Sequence, residues 1–148
     1  MIMKQFLLST FFLFIAACST TGQQAVPKVS ELLVEQLGGK GRDCVRISDI
    51  KGYGYQHNVF TIDGRGDYYL ATTVTRCHSM AATVGVVFQG PGNEVCGGGA
   101  SKVYGSGTDC TISKVYEFPS RKEAFSALDK AVKKREELLQ AAKQATRE

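Results

Sequence analysis

The chain has 148 residues, 43% of them hydrophobic and 22% charged, with 18 Lys and Arg against 14 Asp and Glu for a formal charge of +4. That apolar fraction excludes a disordered chain and is enough for a single domain with a real core. The basic surplus is small and 8 of the cations lie after residue 120, so the body of the chain lacks the electrostatic footprint of a nucleic-acid binder.

The amino-terminal 17 residues read as a cleavable signal. The apolar run from Phe6 to Ala17 is 12 residues long, whereas crossing a bilayer as a helix takes about 20. Ile15-Ala16-Ala17-Cys18 matches the lipobox of bacterial lipoproteins. That match implies a thioether diacylglycerol on Cys18, cleavage just before it, acylation of the new amino terminus with a palmitate-type chain, and a mature protein of 131 residues. Each buried CH₂ contributes about 0.8 kcal/mol, so two or three chains on one residue hold a protein on a membrane without help from its surface. Ser19 follows the anchor in place of the Asp that marks inner-membrane retention, which directs the expectation to the periplasmic face of a Gram-negative outer membrane. The alternative is an ordinary secretory signal with a cysteine that happens to follow its small residues.

Residues 18–29 are polar, aperiodic and contain Pro27, and so read as a flexible tether. A disulfide-stapled β domain is expected over 30–118. It opens with a short helix from Ser30 to Leu37, carrying Leu32, Leu33 and Leu37 and stopped by Gly38-Gly39. From Cys44 to Phe118, short β-branched and aromatic runs alternate with Gly, Asn and Asp, which predicts an antiparallel sheet. Strands are expected at Cys44 to Ile50, Asn58 to Asp63, Asp67 to Val74, Thr83 to Gln89 and Cys110 to Phe118, with a weaker one at Ser101 to Tyr104. Alternation turns Val45, Ile47, Phe60, Ile62, Tyr68, Leu70, Val74, Val84, Val86 and Phe88 inward. Asp63-Gly64-Arg65-Gly66 reads as a hairpin turn. Residues 119–148 form an amphipathic segment. Ser120 with Glu123 makes a capping-box pattern, and a helix is predicted from Arg121 to about Ala145. Phe125, Leu128, Val132, Leu139 and Ala142 form its apolar stripe, with Arg135 in the middle. The first two turns are expected to pack and the rest to project. A coiled-coil dimer is the alternative, but one interrupted stripe falls short of clean heptads, so a monomer is expected. The fold class is therefore mainly β with flanking helices: a small curled antiparallel sheet or barrel-like domain, a short N-terminal helix and a longer C-terminal one.

Besides Cys18 the chain carries Cys44, Cys77, Cys96 and Cys110. An even count in an exported protein points to two disulfides. Four thiols allow three pairings, and sequence does not choose among them. The nested arrangement, Cys44 with Cys110 and Cys77 with Cys96, is the expectation, because it joins the first strand to the last and staples one internal excursion.

No catalytic constellation emerges. Cys77-His78 with His57 invites a metal reading, but adjacent strand residues point to opposite faces, and neither a close cysteine pair nor a second histidine at helical spacing is present. No metal and no cofactor are expected. Nucleophilic cysteine chemistry needs a free low-pKa thiolate, which two disulfides and lipidation would leave unavailable. Gly105-Ser106-Gly107 lacks the spacing of a serine-hydrolase elbow, and Gly52-Tyr53-Gly54 fails as a dinucleotide fingerprint because His57 takes the third glycine position. Arg65-Gly66-Asp67 spells an integrin-binding tripeptide, which turn chemistry explains without a partner. The glycine-rich stretch 97–107 could hug a ligand. Tyr53, Tyr55, Tyr69 and Tyr104 are candidate outward aromatics for stacking on sugars or peptides.

The order Asp43-Cys44-Val45-Arg46-Ile47, Asp67-Tyr68-Tyr69-Leu70, Cys77, Val95-Cys96-Gly97 and Cys110-Thr111-Ile112 resembles a family of small proteobacterial envelope lipoproteins of unknown function. In that family a four-cysteine β domain follows a lipobox, and the resemblance implies no activity. The basic segment after Pro119 looks like an addition to the family core. The expectation is a lipid-anchored, non-catalytic binding or structural module in the periplasm, attached to the membrane through Cys18 and contacting an envelope protein or the cell wall. A small-ligand carrier, or an enzyme acting on envelope material through residues 97–107, is the alternative.

Overall fold

Successive residues of the central strands point into two different cores, one on each face of the sheet. A computed structural model describes residues 25–77, 80 and 85–147. In chain order the elements are helix α1 (Val29–Leu37), strands β1 (Cys44–Arg46), β2 (Gly52–Gln56), β3 (Val59–Asp63), β4 (Tyr68–Thr73), β5 (Val87–Gln89), β6 (Glu94–Cys96), β7 (Lys102–Gly105) and β8 (Thr108–Phe118), and helix α2 (Arg121–Ala145). Six strands form a curled antiparallel half-barrel in the order β2-β3-β4-β8-β7-β5, while β1 and β6 make a separate pair. That pair docks along β8, where the Val115 N–H donates to the Gly41 carbonyl at 2.9 Å and the Asp43 N–H donates to the Val115 carbonyl at 3.3 Å.

Both faces of the central strands are covered, so β4 is buried along its whole length. On the inner face, Phe60, Ile62, Tyr69, Ala71, Ile112 and Val115 meet Val45, Val95, Val103 and Phe88. On the outer face, Val59, Tyr68 and Leu70 meet Leu32 and Leu33 of α1 and Ala124, Ala127, Leu128 and Ala131 of α2. The alanines let α2 lie close, and the Gln36 side chain ties the two helices by donating to the Ala127 carbonyl at 3.2 Å. The packed face of α2 therefore runs to Ala131, with Val132 and Leu138 half-buried beyond it, further than the two turns expected from the stripe. At the start of α2 the Ser120 hydroxyl accepts the Glu123 N–H at 3.3 Å, as the capping-box pattern predicts.

Several local expectations change. The strand predicted from Cys44 to Ile50 ends at Arg46, because the Ile50 N–H folds back onto the Ile47 carbonyl and closes a 3-10 turn over Ile47–Asp49. β2 forms where no strand was expected: a Cβ on Gly54 would stand 2.8 Å from Thr61 Oγ1, so glycine lets β2 approach β3. Val74, expected inward, is 61% exposed. A register shift between Thr72 and Thr73 breaks the alternation at the end of β4: Thr73 pairs with Ile112, and the Val74 N–H still donates to the Thr111 carbonyl at 3.0 Å while its side chain turns outward. The strand expected over Thr83 to Gln89 is present as β5, and Val84 lies outside the described residues.

The disulfides differ from the nested arrangement: Cys44 is bonded to Cys96, and Cys77 to Cys110. Antiparallel pairing of β1 with β6 places Cys44 directly opposite Cys96, with Cα atoms 4.1 Å apart. Cys110 instead faces the inner core from β8, where the segment leaving β4 brings Cys77 to a Cα separation of 5.8 Å. The Cys77 and Cys110 side chains are buried, whereas Cys44 is exposed and Cys96 half-buried.

Candidate functional site

The four tyrosines do not form one surface. Tyr53 opposes Ile62, Tyr55 opposes Phe60 and Tyr69 opposes Ile62 from the other side, so all three sit on the inner face of the half-barrel. Tyr69 is only 7% exposed. Tyr104 lies on the opposite face beside exposed Val87, because its neighbour Val103 is the buried residue of β7. An outward aromatic platform built from the four is therefore excluded. Their roles differ instead: Tyr53 and Tyr55 pack on Phe88 and Phe60 with ring centroids 5.7 and 4.5 Å apart.

The Tyr55 hydroxyl leads to a more informative place. It donates to Asn58 Oδ1 at 3.0 Å and accepts the Cys77 N–H at 3.2 Å, tying the β2–β3 turn to the segment that follows β4. The turn consists of His57 and Asn58, both at positive φ (54° and 63°), between the paired residues Gln56 and Val59. This is the twist that two-residue hairpins need, but glycine usually supplies part of it. Here two side-chain-bearing residues adopt the left-handed region, which costs roughly 1–2 kcal/mol for each.

That turn forms one wall of a groove of about 340 Å³. Lys28 enters from the start of α1, Arg76 from the strand exit held by the Cys77–Cys110 bond, and Arg135 from α2; none of the lining residues is acidic. Lys28 has an exposed partner in Glu31 at 3.7 Å, a pairing of little strength in water. Arg76 and Arg135 have no carboxylate within ion-pairing distance among the described residues. Three fixed positive charges and an imidazole thus share one depression beside a low-dielectric sheet, an arrangement that raises the local potential for anions. Arg135 is the residue that interrupts the apolar stripe of α2, and its place in the groove accounts for the interruption. Asn58 was expected to open a strand, His57 was weighed only as a metal ligand, and Lys28 fell in the expected tether, so sequence alone did not bring the cluster together.

The remaining sequence candidates fall elsewhere. Cys18 and His78 lie outside the described residues. In the glycine-rich stretch, Gly98, Gly99 and Gly107 supply positive φ for turns, and Gly97 is pressed against the Gly41 carbonyl. The hydroxyl of the buried Ser101 accepts the Cys96 N–H at 2.9 Å and so fastens that loop to β6. Arg65 leaves its tripeptide to meet Asp49 at 3.6 Å. Among the described residues, Cys44, Glu94 and Cys96 bring metal-capable atoms within 4.8 Å of one another, but both sulfurs are committed to their own disulfide. No described helix is long and apolar enough to cross a membrane.

The fold and groove define a curled antiparallel half-barrel with two disulfides, two helices over its outer face and a basic depression at one corner. Comparison with protein-family models, curated proteins and solved structures gives no match to this chain.

Proposed function

We propose that this protein is a lipid-anchored, non-catalytic binding module on the periplasmic face of a Gram-negative outer membrane, with the basic groove as its contact surface. The anchor is supported by Ile15-Ala16-Ala17-Cys18, and two disulfides accord with an oxidising compartment. The observation that carries the binding role is the convergence of Lys28, His57, Arg76 and Arg135 on one groove whose lining holds no carboxylate. Folding brings like charges together only against their mutual repulsion, and an opposing partner relieves it.

Intact mass of the protein from its native membrane fraction tests the anchor. Loss of residues 1–17 with acyl mass on Cys18 is expected, and an unmodified chain overturns it. A photo-crosslinker at position 57 tests the surface in cells. The expected product disappears when Arg76 and Arg135 are both replaced by Gln; capture from position 143 but not from 57 overturns the groove as the contact.

A further inference from the structure

We propose that the basic groove is a phosphate site: its ligand presents a phosphate monoester to Arg76, Arg135, Lys28, His57 and Asn58.

The hydrogen-bonding inventory narrows the ligand class. Asn58 Oδ1 already accepts the Tyr55 hydroxyl, which fixes the amide so that its NH₂ group carries the unused donors. The Tyr55 oxygen is itself occupied by the Cys77 N–H. What the groove offers is therefore dominated by donors: two guanidinium forks, an ammonium, the Asn58 NH₂ group and an imidazole N–H, with the Gln56 amide bringing both donors and an acceptor. A ligand rich in acceptors and poor in donors fits that set. Neutral sugars bring a donor with every hydroxyl and no negative charge, and would leave the cations unmatched. A carboxylate brings one charge and two oxygens against three fixed cations, whereas a phosphate monoester brings close to two charges and three terminal oxygens. Guanidinium forks match tetrahedral oxyanions in paired hydrogen bonds, and two arginines here lack any other anion among the described residues.

The walls are also held in place before any ligand arrives. The His57-Asn58 turn is constrained by the β2–β3 ladder, Arg76 adjoins a buried disulfide, and Arg135 projects from a helix docked on α1. Such preorganisation lowers the ordering entropy that binding must overcome. Position matters as well, and this step rests on the anchoring reading. Lys28 lies 10 residues after Cys18, a span of at most about 35 Å when extended, so the groove stays within reach of the headgroups of its own membrane. A phosphate monoester on a lipid and one on a soluble molecule share the chemistry the groove selects.

The full chain, purified in a neutral detergent, is titrated with inorganic phosphate, and in parallel is placed in nanodiscs of phosphatidylcholine with or without phosphatidic acid, whose headgroup is a phosphate monoester. Wild type is expected to bind phosphate, with binding weakened at least tenfold in Arg76→Gln/Arg135→Gln and several-fold in His57→Gln. Lys143→Gln, which removes a cation remote from the groove, should leave it unchanged. Arg76 and His57 are exposed and Arg135 is half-buried, and Gln keeps part of each stem, so unchanged melting of the variants is expected and separates lost binding from lost folding. Groove-dependent protection that appears only with the anionic lipid assigns the phosphate to a headgroup; phosphate binding indifferent to disc composition assigns it to a soluble ester. Absence of binding to either probe, or equal weakening by Lys143→Gln, overturns the site. Phosphate binding by a chain whose Cys18 is found unmodified would leave the site standing and remove the anchor.

Discussion

Tyr53 on one edge strand of the half-barrel meets Phe88 on the other edge strand edge-to-face, with ring centroids 5.7 Å apart. Phe88 also stacks edge-on against Phe60 at 6.1 Å, so the open side of the sheet is bridged by three aromatic rings where backbone pairing is missing. Each ring buries a large apolar area, and the paired geometry adds about 0.5–1.5 kcal/mol beyond that burial.

Phe88→Ala should destabilise the fold by about 3–5 kcal/mol, the usual range for removing a buried phenyl ring. Tyr53 is 37% exposed, so Tyr53→Ala should lower stability by less. A double-mutant cycle in urea unfolding is expected to give a coupling of about 0.5–1.5 kcal/mol. Additive effects would show that the two edges are closed by something other than this contact.

The two disulfides should differ in reactivity. Cys77 and Cys110 are buried, whereas Cys44 is exposed on the β1–β6 pair. Thiol attack requires access to a sulfur, so limited reduction followed by alkylation and peptide mapping should label Cys44 and Cys96 first. With sequence separations of 52 and 33, each bond contributes about 4 kcal/mol on the chain-entropy account. Mapping that links Cys44 to Cys110 would contradict the register of β1 on β6.

Gly97 is a steric requirement where most of its neighbouring glycines are conformational ones. A Cβ there would overlap the Gly41 carbonyl oxygen and stand 2.8 Å from the Val115 nitrogen, forcing apart the hydrogen bond that docks the β1–β6 pair on β8. Gly97→Ala should lower stability by about 1–3 kcal/mol or more. Gly52→Ala is the control: it has open space around the added carbon and no positive φ, and should be neutral or stabilising by a few tenths of a kcal/mol. Melting temperatures of the two variants decide the matter.

Much of this architecture is written in local patterns. The helix from Arg121 to Ala145 follows from Ser120, Glu123 and the stripe through Phe125 and Leu128, and its bounds coincide with those read from sequence. β3 and β4 follow from alternation and from the glycines at Gly64 and Gly66. β6 left no signal, because Glu-Val-Cys is too short to show a period, and the disulfide pairing was lost with it. β2 was obscured by Gly52 and Gly54, whose value lies in a neighbour that sequence does not display. The groove was the least legible feature: Lys28 and Arg135 stand 107 positions apart and meet only because α2 folds back over α1. A charged residue breaking an apolar stripe was the one visible clue.

Two buried phenols should make the fold sensitive to alkali. Burial, reinforced by the nearby carboxylates of Glu117, Asp67 and Asp43, pushes Tyr69 up to about 12, and burial with Asp43 also raises Tyr116. A phenol that ionises later in the folded chain than in the unfolded one leaves the unfolded state binding fewer protons between the two values. Stability is therefore unaffected below pH about 10, the value for a free phenol, and falls as pH rises from there towards 12. In Tyr69→Phe the stability lost between pH 10 and 12 in urea titrations should be clearly smaller than in wild type, and an unchanged loss would refute the assignment. Tyr116 behaves differently at neutral pH. Its hydroxyl is buried with no hydrogen-bond partner among the described residues, so Tyr116→Phe removes an unsatisfied polar atom without changing shape. That variant should be neutral or more stable by about 1 kcal/mol at pH 7. A loss of stability would mean that a water or another group satisfies the hydroxyl in solution.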